Sequence, residues 1–205
     1  MTRIENAEFA ELLGGAPLMA IFRGLGARRS LELAERAWEL GIDAVELPIQ
    51  SADDVEALRL VAAAARSVGR VVGAGTVVSA EQVELAAGAG AAFTVSPGFD
   101  EAVVRASAAA GLPPLPGVAT ATEVQRAAAL GLSWLKAFPA ASLGSGWFRA
   151  MRGPFPEVRF VATGGLDAGN AADFLAAGVR AVAVGSALED ESQLPRLAEL
   201  LRGGR

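Results

Sequence analysis

Two apolar patterns alternate along the chain. Short runs in which nearly every position is apolar, such as Ala44-Val-Glu-Leu-Pro48, are separated by longer alanine-rich stretches whose charged residues recur with a helical period. The short runs predict eight buried strands at 18–23, 44–48, 71–75, 93–96, 114–116, 134–138, 159–162 and 181–184. The longer stretches predict helices between them, for example at 30–39, 52–67, 80–87 and 170–176, with a final helix at 192–201. Residues 1–13 read as a leading amphipathic helix covering one end of the strands.

Punctuation supports this alternation. Gly41, Gly90, Gly111, Gly131 and Gly178 each follow a helical stretch and suit the left-handed residue that ends a helix. Ser30, Ser51, Ser79 and Asp100 are candidate N-caps, and Ser51 with Asp54 makes a variant capping box. Short strands that are apolar throughout, each followed by a helix, imply parallel βαβ units. Eight of them give an α/β fold, a single (β/α)8 TIM barrel with an N-terminal helix, occupying residues 1–205 as one domain. Chemistry in such a barrel sits at the C-terminal ends of the strands.

Composition narrows the chemistry. The 205 residues are 52% hydrophobic and 20% charged, as in a globular chain. A net charge of −5 argues against binding a nucleic-acid backbone. The chain has no cysteine, histidine or tyrosine, which removes thiolates, imidazole bases and the usual zinc ligands. Proton transfer is left to carboxylates, water or an amine. The longest charge-free run, residues 106–122, contains Pro113, Pro114 and Pro116 and cannot form a membrane span. With no apolar signal core near Met1, the expectation is a cytoplasmic protein.

Lys136 is the only lysine, and it lies inside the apolar run Leu132-Ser-Trp-Leu-Lys-Ala-Phe-Pro139. Burying an ammonium costs several kcal/mol unless it is paired, and a neutral lysine is a nucleophile for carbonyls. The alternative is a lysine that caps a strand end and reaches solvent. Strand alternation puts Trp134, Lys136 and Phe138 on one face, and Leu135 and Ala137 on the other. Glu46 is the sole charge of its strand. It reads either as a general base facing the lysine or as a structural partner of an arginine. The other strand ends supply Arg23, Thr76, Pro97, Thr163-Gly164-Gly165 and Gly185-Ser186. The last two groups fall where barrels hold phosphate on backbone N–H groups. Gly73-Ala-Gly-Thr76 lacks the third glycine of a dinucleotide fingerprint.

Together these residues resemble a known family, the class I aldolases for 2-keto-3-deoxy-6-phosphogluconate and its galactonate epimer. The resemblance runs from Ala20-Ile-Phe-Arg-Gly24 to Val184-Gly-Ser186. It takes in Val45-Glu-Leu-Pro48, Val72-Gly-Ala-Gly-Thr-Val77, Val95-Ser-Pro97, Pro116-Gly-Val-Ala-Thr-Ala-Thr-Glu123, Leu135-Lys-Ala-Phe-Pro139, Gly153-Pro-Phe-Pro156 and Thr163-Gly-Gly165. It implies Lys136 as the Schiff-base former and Glu46 as the proton carrier. It further implies Arg23 and Thr76 on the keto acid, Phe138 and Pro97 lining the pocket, and phosphate on Gly164, Gly165 and Ser186.

The resemblance also implies a homotrimer without metal or organic cofactor, acting on a sugar-acid phosphate to give pyruvate and glyceraldehyde 3-phosphate. Gln50, where gluconate-type members carry arginine, and Val118-Ala-Thr-Ala-Thr122 resemble the galactonate type, whereas Thr163 resembles the gluconate type. The galactonate substrate is the favoured expectation and the gluconate substrate the alternative. A phosphate-binding isomerase or epimerase needs a second placed acid, and a non-catalytic sugar-phosphate binder needs no buried lysine.

Overall fold

The computed structural model describes residues 4–203. Nine short strands form one parallel sheet: β1 Leu18–Ile21, β2 Ala44–Pro48, β3 Val71–Gly75, β4 Thr94–Val95, β5 Pro114–Leu115, β6 Gly117–Val118, β7 Trp134–Ala137, β8 Arg159–Ala162 and β9 Ala181–Val184. Their order is β5-β4-β3-β2-β1-β9-β8-β7-β6. The fifth strand, expected at 114–116, is therefore β5 alone, and beyond Pro116, which has no N–H to give a ladder, a further piece, β6, continues the same stretch of chain. β5 pairs with β4 and β6 with β7, so one stretch of chain closes the ring. At the join the Lys136 N–H donates to the Pro116 carbonyl (2.9 Å) and the Gly117 N–H to the Gly98 carbonyl (3.2 Å).

Helices α2 Gly26–Leu40, α3 Ala52–Ser67, α4 Ala80–Ala89, α5 Glu101–Ala109, α6 Ala121–Leu130, α7 Ala140–Arg152, α8 Ala171–Ala176 and α9 Leu194–Gly203 follow α1 Phe9–Leu12 and pack around the strands. Ser51, Ser79 and Asp100 cap α3, α4 and α5 through their side chains. Ser30 does not cap: α2 begins four residues earlier, at Gly26, and Ser30 is buried inside it. α6 opens on a complete capping box, Thr120 with Glu123.

The leading helix is shorter than the expected 1–13, whose first three positions lie outside the described residues. Helix forms only at Phe9–Leu12, because the preceding segment gives its polar groups to the barrel. The Ile4 N–H donates to the Leu130 carbonyl at 2.8 Å. The Asn6 side chain, wholly buried, donates to the carbonyls of Pro114 (2.9 Å) and Trp134 (2.8 Å). Its oxygen accepts from the amides of Ser133 (2.9 Å) and Trp134 (3.1 Å). That amide bridges β5 and the start of β7, where the two strands share no ladder.

Strand alternation divides the core. Met19, Ala44, Phe93, Val95, Leu115, Trp134, Val161, Ala181 and Ala183 face the barrel interior. Phe9 of α1 plugs its lower end, edge-on to Phe93 at 5.3 Å and 6.4 Å from Trp134. Leu18, Ala20, Val45, Leu47, Leu135 and Ala137 face the helices. The parity expected for β7 is observed. No helix among the described residues is long and apolar enough to cross a membrane.

Candidate active site

The strand C-terminal ends surround a cavity of about 880 Å³. Arg23, Thr76, Pro97, Lys136, Phe138, Thr163, Gly164, Gly165, Gly185 and Ser186 all line it. These positions come from six different strand ends, and the inner-face parity of the strands brings them together. Lys136 is not the solvent-reaching cap of a strand, since it is only 5% exposed.

Glu46 alone among the expected residues does not line the cavity. It is fully buried in the middle of β2, with Oε1 3.8 Å from Nζ of Lys136. Its charged neighbour is that lysine and not an arginine. Among the described residues neither carboxylate oxygen has a hydrogen-bond donor. The ion-pair distance is longer than a charge-assisted hydrogen bond, so the amine and carboxylate face each other without being joined. The lysine ammonium also lies 5.4 Å from the centroid of the Phe138 ring, within cation–π range.

At the rim, the Arg23 guanidinium donates to Oε1 of Gln50 and to Oγ1 of Thr76 at 3.3 Å. Thr76 has φ 58, the only non-glycine residue with positive φ among the described residues. That conformation is strained for a β-branched residue and holds its side chain over the cavity. The hydroxyl of Thr163 is buried, faces the same cavity and has no partner among the described residues.

The opposite wall is the turn after β8. Gly164 and Gly165 have φ of 97 and 73. Their carbonyls accept from the Ala141 N–H and from the Asn170 side chain, each at 3.0 Å, so the oxygen edge of the turn is engaged. Side chains would not fit: a Cβ on Gly164 would lie 3.0 Å from the Phe138 ring, and one on Gly165 2.7 Å from the Ala141 methyl. A turn stripped of side chains, with its oxygens occupied, is suited to an anion on its N–H edge.

Ile21, Leu25, Leu166, Asp167, Ala183 and Glu189 also line the cavity. Ile21 and Ala183 share the inner-face parity of Arg23 and Gly185, which is a signal the sequence carries. Leu25, in the loop after β1, and Glu189, in the short 3-10 turn Ser186–Leu188 and its cap, carry none. Among the described residues no cluster of three or more His, Cys, Asp or Glu could hold a metal.

The site supports carbonyl chemistry at an enclosed amine beside a carboxylate, with room for a substrate carrying an anion at its far end. Comparison with known proteins agrees. The family model for KDPG and KHG aldolases matches residues 10–200. The "Probable 2-dehydro-3-deoxy-6-phosphogalactonate aldolase" of Rhizobium meliloti (strain 1021) is 39% identical over 173 residues, covering 84% of this chain and 81% of that protein. A 4-hydroxy-2-oxoglutarate/2-dehydro-3-deoxyphosphogluconate aldolase from TTHB1 has a crystal structure 40% identical in sequence, covering 95% of each chain with a TM-score of 0.81. The KDPG aldolase of Legionella pneumophila, solved with pyruvate captured at low pH as a covalent carbinolamine, is 28% identical with a TM-score of 0.81, covering 94% of this chain and 95% of that one. With the family match extending over nearly all of its length, the chain belongs to the KDPG and KHG aldolases and is a carbon–carbon lyase.

Proposed function

We propose that the protein, acting as one catalytic unit over residues 1–205, cleaves 2-dehydro-3-deoxy-6-phosphogalactonate through a Schiff base on Lys136. The observation that carries this reading is the enclosed amine 3.8 Å from a carboxylate that no other described residue engages. The neutral amine adds to the 2-keto carbon to give a carbinolamine, whose hydroxyl takes up a proton and leaves as water to form an iminium. Glu46, through a water, takes the proton of the 4-hydroxyl. The C3–C4 bond then breaks with its electrons drawn into the iminium, leaving an enamine and glyceraldehyde 3-phosphate. Glu46 returns the proton to C3, and hydrolysis frees pyruvate and the lysine. The carbinolamine captured in the relative from Legionella pneumophila is the first intermediate of such a sequence.

Arg23 and Thr76 hold the keto-acid end, Pro97 and Phe138 form the walls, and the N–H groups of Gly164, Gly165, Gly185 and Ser186 hold the phosphate. Fixing both ends of the substrate over the amine contributes several kcal/mol through positioning. Gln50, joined to Arg23, and the 39% identical galactonate-named relative favour the galactonate epimer. The unpartnered hydroxyl of Thr163 favours a second reading, the gluconate epimer. It could bond a substrate hydroxyl, and such bonds discriminate strongly. A homotrimer and a cytoplasmic location belong to the same proposal and rest on likeness to the family.

Incubation with pyruvate and borohydride should add one reduced pyruvyl group, mapped to Lys136 by mass spectrometry. An unmodified Lys136, or full turnover in Lys136→Ala, refutes the Schiff-base mechanism on this lysine. The ratio of kcat/KM for the two epimers on one preparation decides between them.

A further inference from the structure

Glu46 poses a physical problem. Its carboxylate accepts no hydrogen bond from the described residues, so none of their donors fixes where its oxygens lie. What surrounds it on the β3 side is Gly75, the last residue of that strand. A Cβ built on Gly75 would lie 2.1 Å from Oε1 of Glu46 and 2.7 Å from both its Cδ and Cγ. Gly75 does not have positive φ, so backbone conformation does not require a glycine there. Space alone does.

We propose that Gly75 is a positioning residue: its bare backbone is the seat against which the Glu46 side chain rests, and it sets the separation between carboxylate and amine. This rests on Glu46 being the proton carrier proposed above. The obstacle to an added methyl is a side chain, not backbone, so the fold can absorb Gly75→Ala by turning Glu46 aside. Glu46 is wholly buried and can turn only within the barrel interior, away from its present place beside Lys136. The cost therefore falls on proton transfer more than on stability. Displacing a reacting group by about 1 Å costs on the order of 100-fold in rate.

The test separates imine formation from proton transfer. Exchange of the pyruvate methyl protons in D2O, followed by NMR, needs both the imine and the base. Borohydride trapping at saturating pyruvate needs only the imine. Gly75→Ala should slow exchange by about 100-fold while Lys136 is still trapped to completion. In a Glu46→Ala background the added methyl has nothing to displace. There Gly75→Ala should change the residual exchange rate by less than about 2-fold.

Equal losses in the two backgrounds, or exchange unaffected by Gly75→Ala, overturn the proposal while leaving the Schiff base intact. Failure to trap Lys136 in the parent protein refutes the mechanism itself. Should Gly75→Ala alone fail to fold, the comparison moves to Gly75→Ala/Glu46→Ala, which should fold with a Tm no lower than Glu46→Ala. A double variant that also fails to fold places the obstacle in the backbone and overturns the proposal.

Discussion

Asn6 lies at the opposite end of the barrel from the lysine, and the fold predicts that it clasps the ring. Its side-chain amide spans the gap at the bottom between β5 and β7, with four hydrogen bonds of 2.8–3.1 Å. In Asn6→Ala the amide of Ser133, which is half-buried, can turn to water. The buried Trp134 amide and the buried carbonyls of Pro114 and Trp134 have no such recourse. Leaving a buried polar group unpaired costs about 1–3 kcal/mol, and partial entry of water lowers the sum for the three to about 2–4 kcal/mol. For a chain of this size each kcal/mol moves the melting temperature by about 2–4 °C, so a fall of roughly 5–15 °C is expected. Asn6→Asp should be worse than Asn6→Ala, because it sets acceptor oxygens against two carbonyls. Scanning calorimetry on the three proteins measures both effects. The kcat/KM of the folded protein at 25 °C should stay within about 2-fold, since the site is at the far end of the barrel. A Tm within about 2 °C of the parent for Asn6→Ala, or an Asn6→Asp variant milder than Asn6→Ala, would show that the ring is closed by something else.

Phe9→Ala empties the interior plug against Phe93 and Trp134. It should cost about 3–5 kcal/mol in urea unfolding, and a loss under about 1 kcal/mol would mean the plug carries little of the core. The Ala119 amide donating to its carboxylate holds Glu123 below its ordinary range, against a smaller opposing effect of burial. A lowered folded pKa adds stability that is present above the unfolded value near 4.5 and is lost as pH falls through the folded one. Glu123→Gln should therefore be less stable than the parent at neutral pH, with the deficit closing in acid, and a deficit independent of pH contradicts this. The Lys136–Glu46 pair, buried with no further hydrogen bonds to the carboxylate, is expected to be a poor source of stability. Lys136→Met/Glu46→Leu should abolish cleavage yet unfold at the same denaturant concentration or higher, and a variant less stable by more than about 2 kcal/mol would refute this.

Much of this was legible in the sequence because a parallel barrel writes its inner face at every second residue. Trp134, Lys136 and Phe138 could be assigned to one side of β7 from alternation alone, and the same rule reaches Ile21 and Ala183. The break in the fifth strand was not legible. Pro116 marks an interruption, but nothing local says that the residues before it pair with β4 and those after it with β7. The start of α2 was misplaced because Ser30 looks like a cap, whereas the helix begins at Gly26 with no side-chain cap at all. Asn6 was lost inside a segment whose apolar spacing reads as helix. Its partners, more than a hundred residues away, only the closed ring brings near. Leu25 and Glu189 reach the cavity from loops, where no periodicity points inward.

The two ends of the barrel treat buried side-chain oxygens in opposite ways. At the bottom, Asn6 is completely enclosed, and its side-chain oxygen and nitrogen are both engaged. At the top, among the described residues, the two carboxylate oxygens of Glu46 and the hydroxyl of Thr163 are buried without a partner, leaving only the indole N–H groups of Trp38 and Trp134 as other such cases. Beside them stand the one lysine of the chain, 5% exposed, and the strained backbone of Thr76. A sequence selected for stability alone would pair these groups or replace them, as the same chain does at Asn6. Orphaned oxygens, an unjoined amine and a residue at positive φ, gathered at one end of the barrel, are costs that mark a functional site. On the proposed mechanism the unsatisfied groups outline the ligand: a carbonyl for the amine, an exchangeable proton for the carboxylate, a hydroxyl for Thr163, and an anion for the bare turn at Gly164 and Gly165.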